Sequence, residues 1–344
     1  MSQPVFRFNV IRTDREGECE RLDEGLRAAG GKLTKFPDGA SEDTLVEAIR
    51  DADLLITCYA PITARVIYAA RKLRGIVKCG VSIDRIDVAA AQNRCIPVTN
   101  VPDYAEETVA EGAFALMIAL MKKIPKIDRA MHGKGWVWPS LEWRGLDLAG
   151  KTLGLVGVGH IGRSMARMAG AGFRMRVLGY SPNTSAETMR EYGVAKRDDL
   201  RAMLAECDVV SVHAALRPDT IHLLGKEEFA AMKPGGLFVN TARGAIADEA
   251  ALIQALERGH VGGAALDVYG EEPLNRESHP MRALYGMDNV ILFPHLTFYT
   301  GEAMARLEQE ALARCLEIVA GQPVLVKSRD PRLRAQDHGV YFPS

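Results

Sequence analysis

The stretch Thr152-Leu153-Gly154-Leu155-Val156-Gly157-Val158-Gly159-His160-Ile161-Gly162 decides how this chain folds. Its first five residues form a short apolar run of the kind that makes a fully buried strand. Three glycines in G-x-G-x-x-G spacing follow, and a helical stretch begins at once. Such glycines permit a tight turn and let the backbone approach a pyrophosphate, which the N–H groups and positive end of the next helix then hold. With a strand before and a helix after, residues Gly157, Gly159, His160, Ile161 and Gly162 read as a dinucleotide-binding turn, His160 contributing its backbone as a spacer.

Working outward, strand-like runs recur near residues 176–180, 209–213, 237–241, 263–268 and 290–293. Six strands with intervening helices match a doubly wound parallel sheet, a Rossmann dinucleotide fold. Upstream, strand-like residues 6–11, 54–57, 76–79 and 96–99 alternate with helical residues 18–29, 44–52 and 64–71, a smaller α/β unit of flavodoxin-like type. Helical residues 105–123 lead out of it. The last long helix, residues 301–320, has no further strand to lead into and is placed back on the first unit. The expected organisation is a discontinuous substrate domain, 1–104 with 299–326, a dinucleotide-binding domain, 105–298, and a basic tail, 327–344, expected to be solvated, with a subunit-clasping arm as the alternative. Two crossings between the domains predict a hinge with a cleft.

At 344 residues, 47% of them hydrophobic, the chain has material for two ordinary cores. A net charge of -1 provides no broad basic field for nucleic acid or an anionic membrane, so a small-molecule partner is expected. The longest apolar stretch, residues 112–121, falls short of the roughly 20 residues that span a bilayer, and no signal-like apolar region opens the chain. The six cysteines have no C-x-x-C pairing or zinc rhythm, which suits reduced thiols in a cytoplasm and no metal. All three tryptophans fall within residues 136–143, a segment without clear period, and are expected to form an arm docking on a second subunit of a homodimer.

Ligands of open parallel sheets bind beyond the carboxyl ends of strands. Three such ends carry Arg243 in Asn240-Thr241-Ala242-Arg243-Gly244, Glu272 in Glu271-Glu272-Pro273, and His295 in Phe293-Pro294-His295. A guanidinium, a carboxylate and an imidazole together are a set for gripping an anion and moving a proton. Each alone is ordinary surface chemistry; their placement after consecutive strands, downstream of a phosphate loop, singles them out.

Taken together, the 157–162 loop, Asn240–Gly244, Asp267 ahead of Glu272-Pro273, and Pro294-His295 resemble the D-isomer-specific 2-hydroxyacid dehydrogenases in order and spacing. The resemblance runs from about residue 54 to about 320 and includes Asn100-Val101-Pro102 and residues 107–111. It implies a nicotinamide-dependent oxidoreductase in which Arg243 grips the substrate carboxylate and carbonyl, His295 is the acid/base and Glu272 orients it. It also implies that a glycine loop, here Cys79-Gly80-Val81 before Ser82, binds the carboxylate, with Asn100 beside it. Thr108, Ser181, His213, Thr241 and Asp267 are the remaining cofactor-side candidates. For Asp267 a brace beneath the cofactor and a nicotinamide-side contact are both open, and for His213 so are lining the adenine–ribose crevice and packing.

The chemistry has its own logic. A 2-oxo acid sets a planar carboxylate beside a carbonyl, which the forked donors of a guanidinium match and a lysine does not. A carboxylate against one ring nitrogen stabilises the imidazolium that would give the carbonyl oxygen its proton.

The chain departs from the family where Tyr180-Ser181-Pro182-Asn183 has no acidic residue for the adenosine ribose. NAD is the expected cofactor, with NADP left open. Leu296-Thr297-Phe298-Tyr299 is bulkier than the family's small turn, and Ser82 replaces a common glycine, so the particular acid is not named. The alternatives are a nicotinamide-sensing, corepressor-like interaction protein and a dehydrogenase of a non-carboxylate such as phosphite. No extra regulatory domain of the kind some serine-pathway relatives carry is expected.

Overall fold

A computed structural model describes residues 7–14 and 19–343; Phe6 and Glu18, the expected first residues of a strand and a helix, lie outside the described residues. The chain divides into two compact units, one up to Ala105 plus everything from Thr300, the other Glu106–Tyr299.

The first unit opens with β1 (Phe8–Arg12), α1 (Glu20–Ala28), β2 (Gly31–Lys35), α2 (Glu42–Ile49), β3 (Leu54–Thr57), α3 (Ala64–Ala69), β4 (Gly75–Lys78), α4 (Val88–Asn93) and β5 (Val98–Asn100). Its five strands are parallel in the order β2-β1-β3-β4-β5. The Leu54-Leu55-Ile56-Thr57 strand is buried throughout, as expected of a central strand covered on both faces. β2, Gly-Lys-Leu-Thr-Lys, was not expected from the sequence. It is a largely exposed edge strand whose polar residues carry no hydrophobic signal. Side-chain caps fix the starts of α2 and α4: Ser41 Oγ accepts from Thr44 N at 3.2 Å and Asp87 Oδ1 from Ala90 N at 2.9 Å.

The second unit contains α5 (Glu106–Met121), α6 (Ile124–Lys134), β6 (Thr152–Val156), α7 (His160–Arg167), β7 (Arg176–Tyr180), α8 (Ala186–Glu191), β8 (Val194–Lys196), α9 (Leu200–Glu206), β9 (Val209–Val212), α10 (Lys226–Ala231), β10 (Gly236–Asn240), α11 (Glu249–Glu257), β11 (Val261–Leu266) and β12 (Val290–Leu292). All seven strands run parallel in the order β12-β11-β10-β9-β6-β7-β8, one more than the six expected. The addition, β8, is three residues at an edge. Side chains alternate between two cores: Val210, Phe238 and Ala264 enter one, while Val209, Val239 and Ala265 enter the other. The order reverses beside β6, so a crevice opens at the carboxyl ends of β6 and β9, the switch point where doubly wound sheets bind ligands.

The chain then returns to the first unit through α12 (Gly301–Val319), β13 (Val324–Leu325), α13 (Pro331–Arg334) and β14 (Val340–Tyr341). α12 packs on α1 and beneath β3 and β4. Glu308 Oε2 accepts from Leu22 N at 3.1 Å, and Gly25 leaves the space that Leu312 fills, since a Cβ there would lie 2.4 Å from Leu312 Cδ2.

Residues 327–343 are not the solvated tail expected from their charge. Leu333 is fully buried in the first unit's core. The Gln336 amide pairs with β5, accepting from Val98 N at 2.7 Å and donating to Val98 O at 2.8 Å. The basic residues that suggested solvation are themselves partnered: Lys327 with Glu310, and Arg332 with Asp330 and Asp84. Among the described residues no helix is long and apolar enough to cross a membrane, and no group of three or more acidic, histidine or cysteine side chains is arranged to hold a metal.

Candidate active site

Three loops of the second unit bring Arg243, Glu272 and His295 together. After β10 the chain turns on Asn240, whose Nδ2 donates to Arg243 O at 3.0 Å while its Oδ1 accepts from Ala242 N at 3.0 Å. Arg243 is half-buried, and its Nη1 donates to Ala242 O at 2.6 Å. The next residue, Gly244, lies hard against the loop that carries Glu272: a Cβ there would sit 1.9 Å from Tyr269 C and 2.2 Å from Gly270 N. Both clashes are with backbone, so Gly244→Ala is expected to force the two loops apart. Overpacking costs typically about 1–3 kcal/mol, and the variant should show a lowered Tm in calorimetry.

Glu272 stands beyond β11, before a cis-proline. Its Oε1 accepts from Tyr269 N at 3.0 Å and its Oε2 lies 2.9 Å from His295 Nδ1. Burial favours the neutral acid, but the His295 hydrogen bond and charge, the Tyr269 N–H and the Arg243 guanidinium outweigh it and hold the carboxyl below its ordinary 4.5. The Tyr269 ring ties the neighbouring strand ends, its hydroxyl 3.1 Å from Leu266 O and 3.0 Å from Phe293 O, and Gly270 N donates to Glu249 Oε1 at 2.6 Å.

His295 has φ +58°, an uncommon conformation for a residue with a side chain. Asp267 keeps it there. Fully buried, Asp267 accepts from Leu296 N at 2.8 Å through Oδ1, and from Thr297 N at 3.1 Å and Thr297 Oγ1 at 2.5 Å through Oδ2. Burial pushes its pKa up even against these bonds. Of the two roles open for Asp267, this geometry supports the brace. Phe298 meets the His295 ring edge-on at 6.3 Å.

The glycine loop divides its labour. Gly157 has φ +95°, and a Cβ there would lie 2.6 Å from Ala214 N; a Cβ on Gly162 would lie 2.4 Å from Gly157 O. A Cβ on Gly159 would meet no heavy atom within 4 Å. The first and third glycines are thus needed for the turn and for packing, while the second leaves an open face for a pyrophosphate at the start of α7. The His160 side chain points outward, its Nδ1 3.2 Å from Glu106 Oε2. Ile161 follows it in the first turn of α7, and Thr108 is buried on α5, which packs along α7. Ser181 Oγ lies 3.0 Å from Thr184 Oγ1, in the turn that follows β7. Two buried polar atoms near the strand ends, His213 Nδ1 and Thr241 Oγ1, have no hydrogen-bond partner among the described residues. These orphans, with the open face at Gly159, fit a dinucleotide.

His213 Nε2 is 2.9 Å from Ser211 Oγ, and burial pushes the ring from 6.5 down to about 4. The folded chain therefore declines a proton that the unfolded chain takes up between those two values, so stability falls as pH drops through that window. Thermal unfolding followed from pH 7 to pH 4 should show this loss, and His213→Asn should flatten it.

The remaining candidates belong to the first unit. Gly80 has φ +128°, and Val101 N donates to Gly80 O at 3.2 Å. Asn100 Nδ2 donates to Val81 O at 2.6 Å, while Asn100 Oδ1 is buried without a partner among the described residues. Lys78 Nζ donates to Cys58 O and, at 3.0 Å, to Cys79 O. The backbone N–H groups of Gly80 and Val81 have no acceptor among the described residues. Nothing in the sequence pattern marks Asn240 or Tyr269 for these supporting roles, and only the glycine directly after Arg243 offers a signal for Gly244.

Residues 114–297 match the model of the D-isomer specific 2-hydroxyacid dehydrogenase, NAD binding domain. The chain belongs to this family of oxidoreductases. It is 36% identical over 299 residues to a glyoxylate reductase of Korarchaeum cryptofilum, covering 86% of this chain and 88% of that one. It is also 36% identical over 315 residues to the D-3-phosphoglycerate dehydrogenase of Archaeoglobus fulgidus, but spans only 58% of that protein's length while using 91% of its own. The D-lactate dehydrogenase of Aquifex aeolicus, solved with NAD and lactic acid, superposes with a TM-score of 0.80 at 28% identity, over 91% of this chain and 97% of that one. The matched residues lie within the seven-stranded unit, which is thus the NAD-binding domain of this family.

Proposed function

We propose that the chain interconverts a small 2-oxo acid and its D-2-hydroxy acid, with NAD as cofactor and NADP as an alternative because Ser181 presents no charge to repel a 2′-phosphate. The observation that carries this reading is the His295–Glu272 pair at 2.9 Å, with the Arg243 guanidinium acting on the same carboxylate. The bound nicotinamide supplies the hydride. Arg243 binds the substrate carboxylate and carbonyl oxygen with its fork, which orients the acid and polarises the bond to be reduced. Glu272 holds Nδ1 of His295, so the proton is exchanged at Nε2, given to the forming alkoxide and taken back in the reverse direction. Thr241 and His213, with the 157–162 loop, hold the cofactor. The glycine loop of the first unit, supported by Asn100, offers N–H groups to a carboxylate and gives that unit its reading as the substrate domain.

The test follows nicotinamide absorbance at 340 nm, with NADH and with NADPH against glyoxylate, hydroxypyruvate, pyruvate and bulkier 2-oxo acids, and with NAD+ and NADP+ against phosphite. Turnover of an acid supports the proposal. Tight cofactor binding without turnover of any substrate overturns it in favour of a sensing role, and oxidation of phosphite alone would redirect it.

The same reading takes the chain as a cytoplasmic homodimer. Trp136, Trp138 and Leu141 are 62%, 77% and 74% exposed, an apolar surface that a second copy would cover. Sedimentation of the intact chain and of Trp138→Ser is the check, a shift toward monomer being expected.

A further inference from the structure

Cys58 and Cys79 stand side by side where β3 and β4 end. The strands are parallel with Thr57 opposite Lys78, so the next residues along, the two cysteines, follow the last rung, and Cys79 N donates to Thr57 O at 2.9 Å. Neighbouring strands lie about 4.7–4.9 Å apart, inside the roughly 4.4–6.8 Å that the Cα atoms of a disulfide span. Opposed residues of a sheet also project to one face. Cys58 Sγ is already 3.2 Å from Cys79 O. Cys79 is buried, Cys58 is half-buried, and the Lys78 ammonium binds the carbonyls of both.

We propose that Cys58 and Cys79 form a reversible thiol–disulfide pair whose oxidation draws the 79–82 loop away from a bound carboxylate. The second half of this rests on the reading of that loop as a carboxylate binder. The oxidant is a small disulfide such as oxidised glutathione. Cys58, the more accessible and with a cation beside it, attacks as the thiolate; the oxidant's S–S bond breaks and the departing thiolate takes up the proton Cys58 released. Cys79 sulfur then attacks Cys58 Sγ, the mixed disulfide breaks, and the second glutathione thiolate leaves with the Cys79 proton. Two protein thiols are oxidised and one disulfide is reduced to two thiols. Burial pushes the Cys79 thiol up, which slows this second step, and the proximity of Cys58 on the neighbouring strand offsets that. Closing the bond turns both Cβ atoms inward and moves the backbone from which Gly80 and Val81 present their N–H groups.

The intact protein is incubated with oxidised glutathione and digested without reduction. A peptide joining Cys58 to Cys79 is expected, along with a KM for the 2-oxo acid raised on the order of 10- to 100-fold, since about 1 Å of misplacement carries a penalty of that order. Dithiothreitol should restore it. Cys58→Ser should keep its basal activity and become insensitive to the oxidant, while Cys95→Ser should behave as the parent. Absence of the cross-link, a mixed disulfide that never closes, or Cys79 joined to the buried Cys19 overturns the pair. A cross-link that leaves KM unchanged overturns the loop displacement. The cross-link is read whether or not any acid is reduced, so failure of the whole acid panel counts against the proposed function alone.

Discussion

His295→Ala is expected to lower kcat by about 100- to 10,000-fold, the range over which a positioned proton-transfer group contributes. Cofactor affinity, measured by NADH fluorescence titration, should change little, because the phosphate loop and the orphaned polar atoms of His213 and Thr241 are untouched. Backbone geometry calls for a second variant. With φ at +58°, position 295 disfavours an ordinary side chain, and asparagine is among the residues that tolerate this region best. His295→Asn should therefore keep the turn that Asp267 braces while removing the acid/base, and its kcat should fall as far as that of alanine. Near-normal turnover in the asparagine variant would remove His295 from the chemistry.

Arg243→Lys should reduce kcat/KM by about 10- to 150-fold, the equivalent of losing one charge-assisted hydrogen bond worth about 1.5–3 kcal/mol. Lysine keeps the positive charge that helps hold the Glu272 carboxyl down, so any deficit reports the lost fork and not a lost charge. The turn itself is built by Asn240 and by the fit of Gly244, neither of which depends on the guanidinium. Tm should therefore stay near that of the parent. A parent-like kcat/KM with 2-oxo acids would show that Arg243 does not bind the carboxylate.

What the sequence made legible follows from how strongly burial marks a residue. Central strands such as Leu54–Thr57 and Thr152–Val156 are covered on both faces, so their apolar runs mark both ends correctly. β2 and β8 lie at sheet edges, where half the residues meet water and the pattern fades. α6 has no buried residue at all, so no apolar stripe announces it. The carboxyl-terminal segment was misread for the opposite reason: the buried side chains Leu333 and Gln336 are interleaved with arginines that pair locally. Within the candidate active site the side chains proposed to react were recognisable because chemistry restricts them to few residue types. Their supports were not, since Tyr269 acts through its N–H and hydroxyl and Gly244 through the side chain it lacks, and neither leaves a periodic trace.

The Gln336 amide has a bearing on how the protein stays dispersed. A peripheral strand such as β5 offers a row of unsatisfied main-chain groups to any passing chain, and proteins commonly blunt such rows with charge, proline or a covering segment. Here a carboxamide imitates one peptide unit of a missing neighbour and occupies both hydrogen-bonding positions of Val98. Trimming by a protease ahead of residue 336 would unmask that template, and the damage would register first as self-association into aggregates.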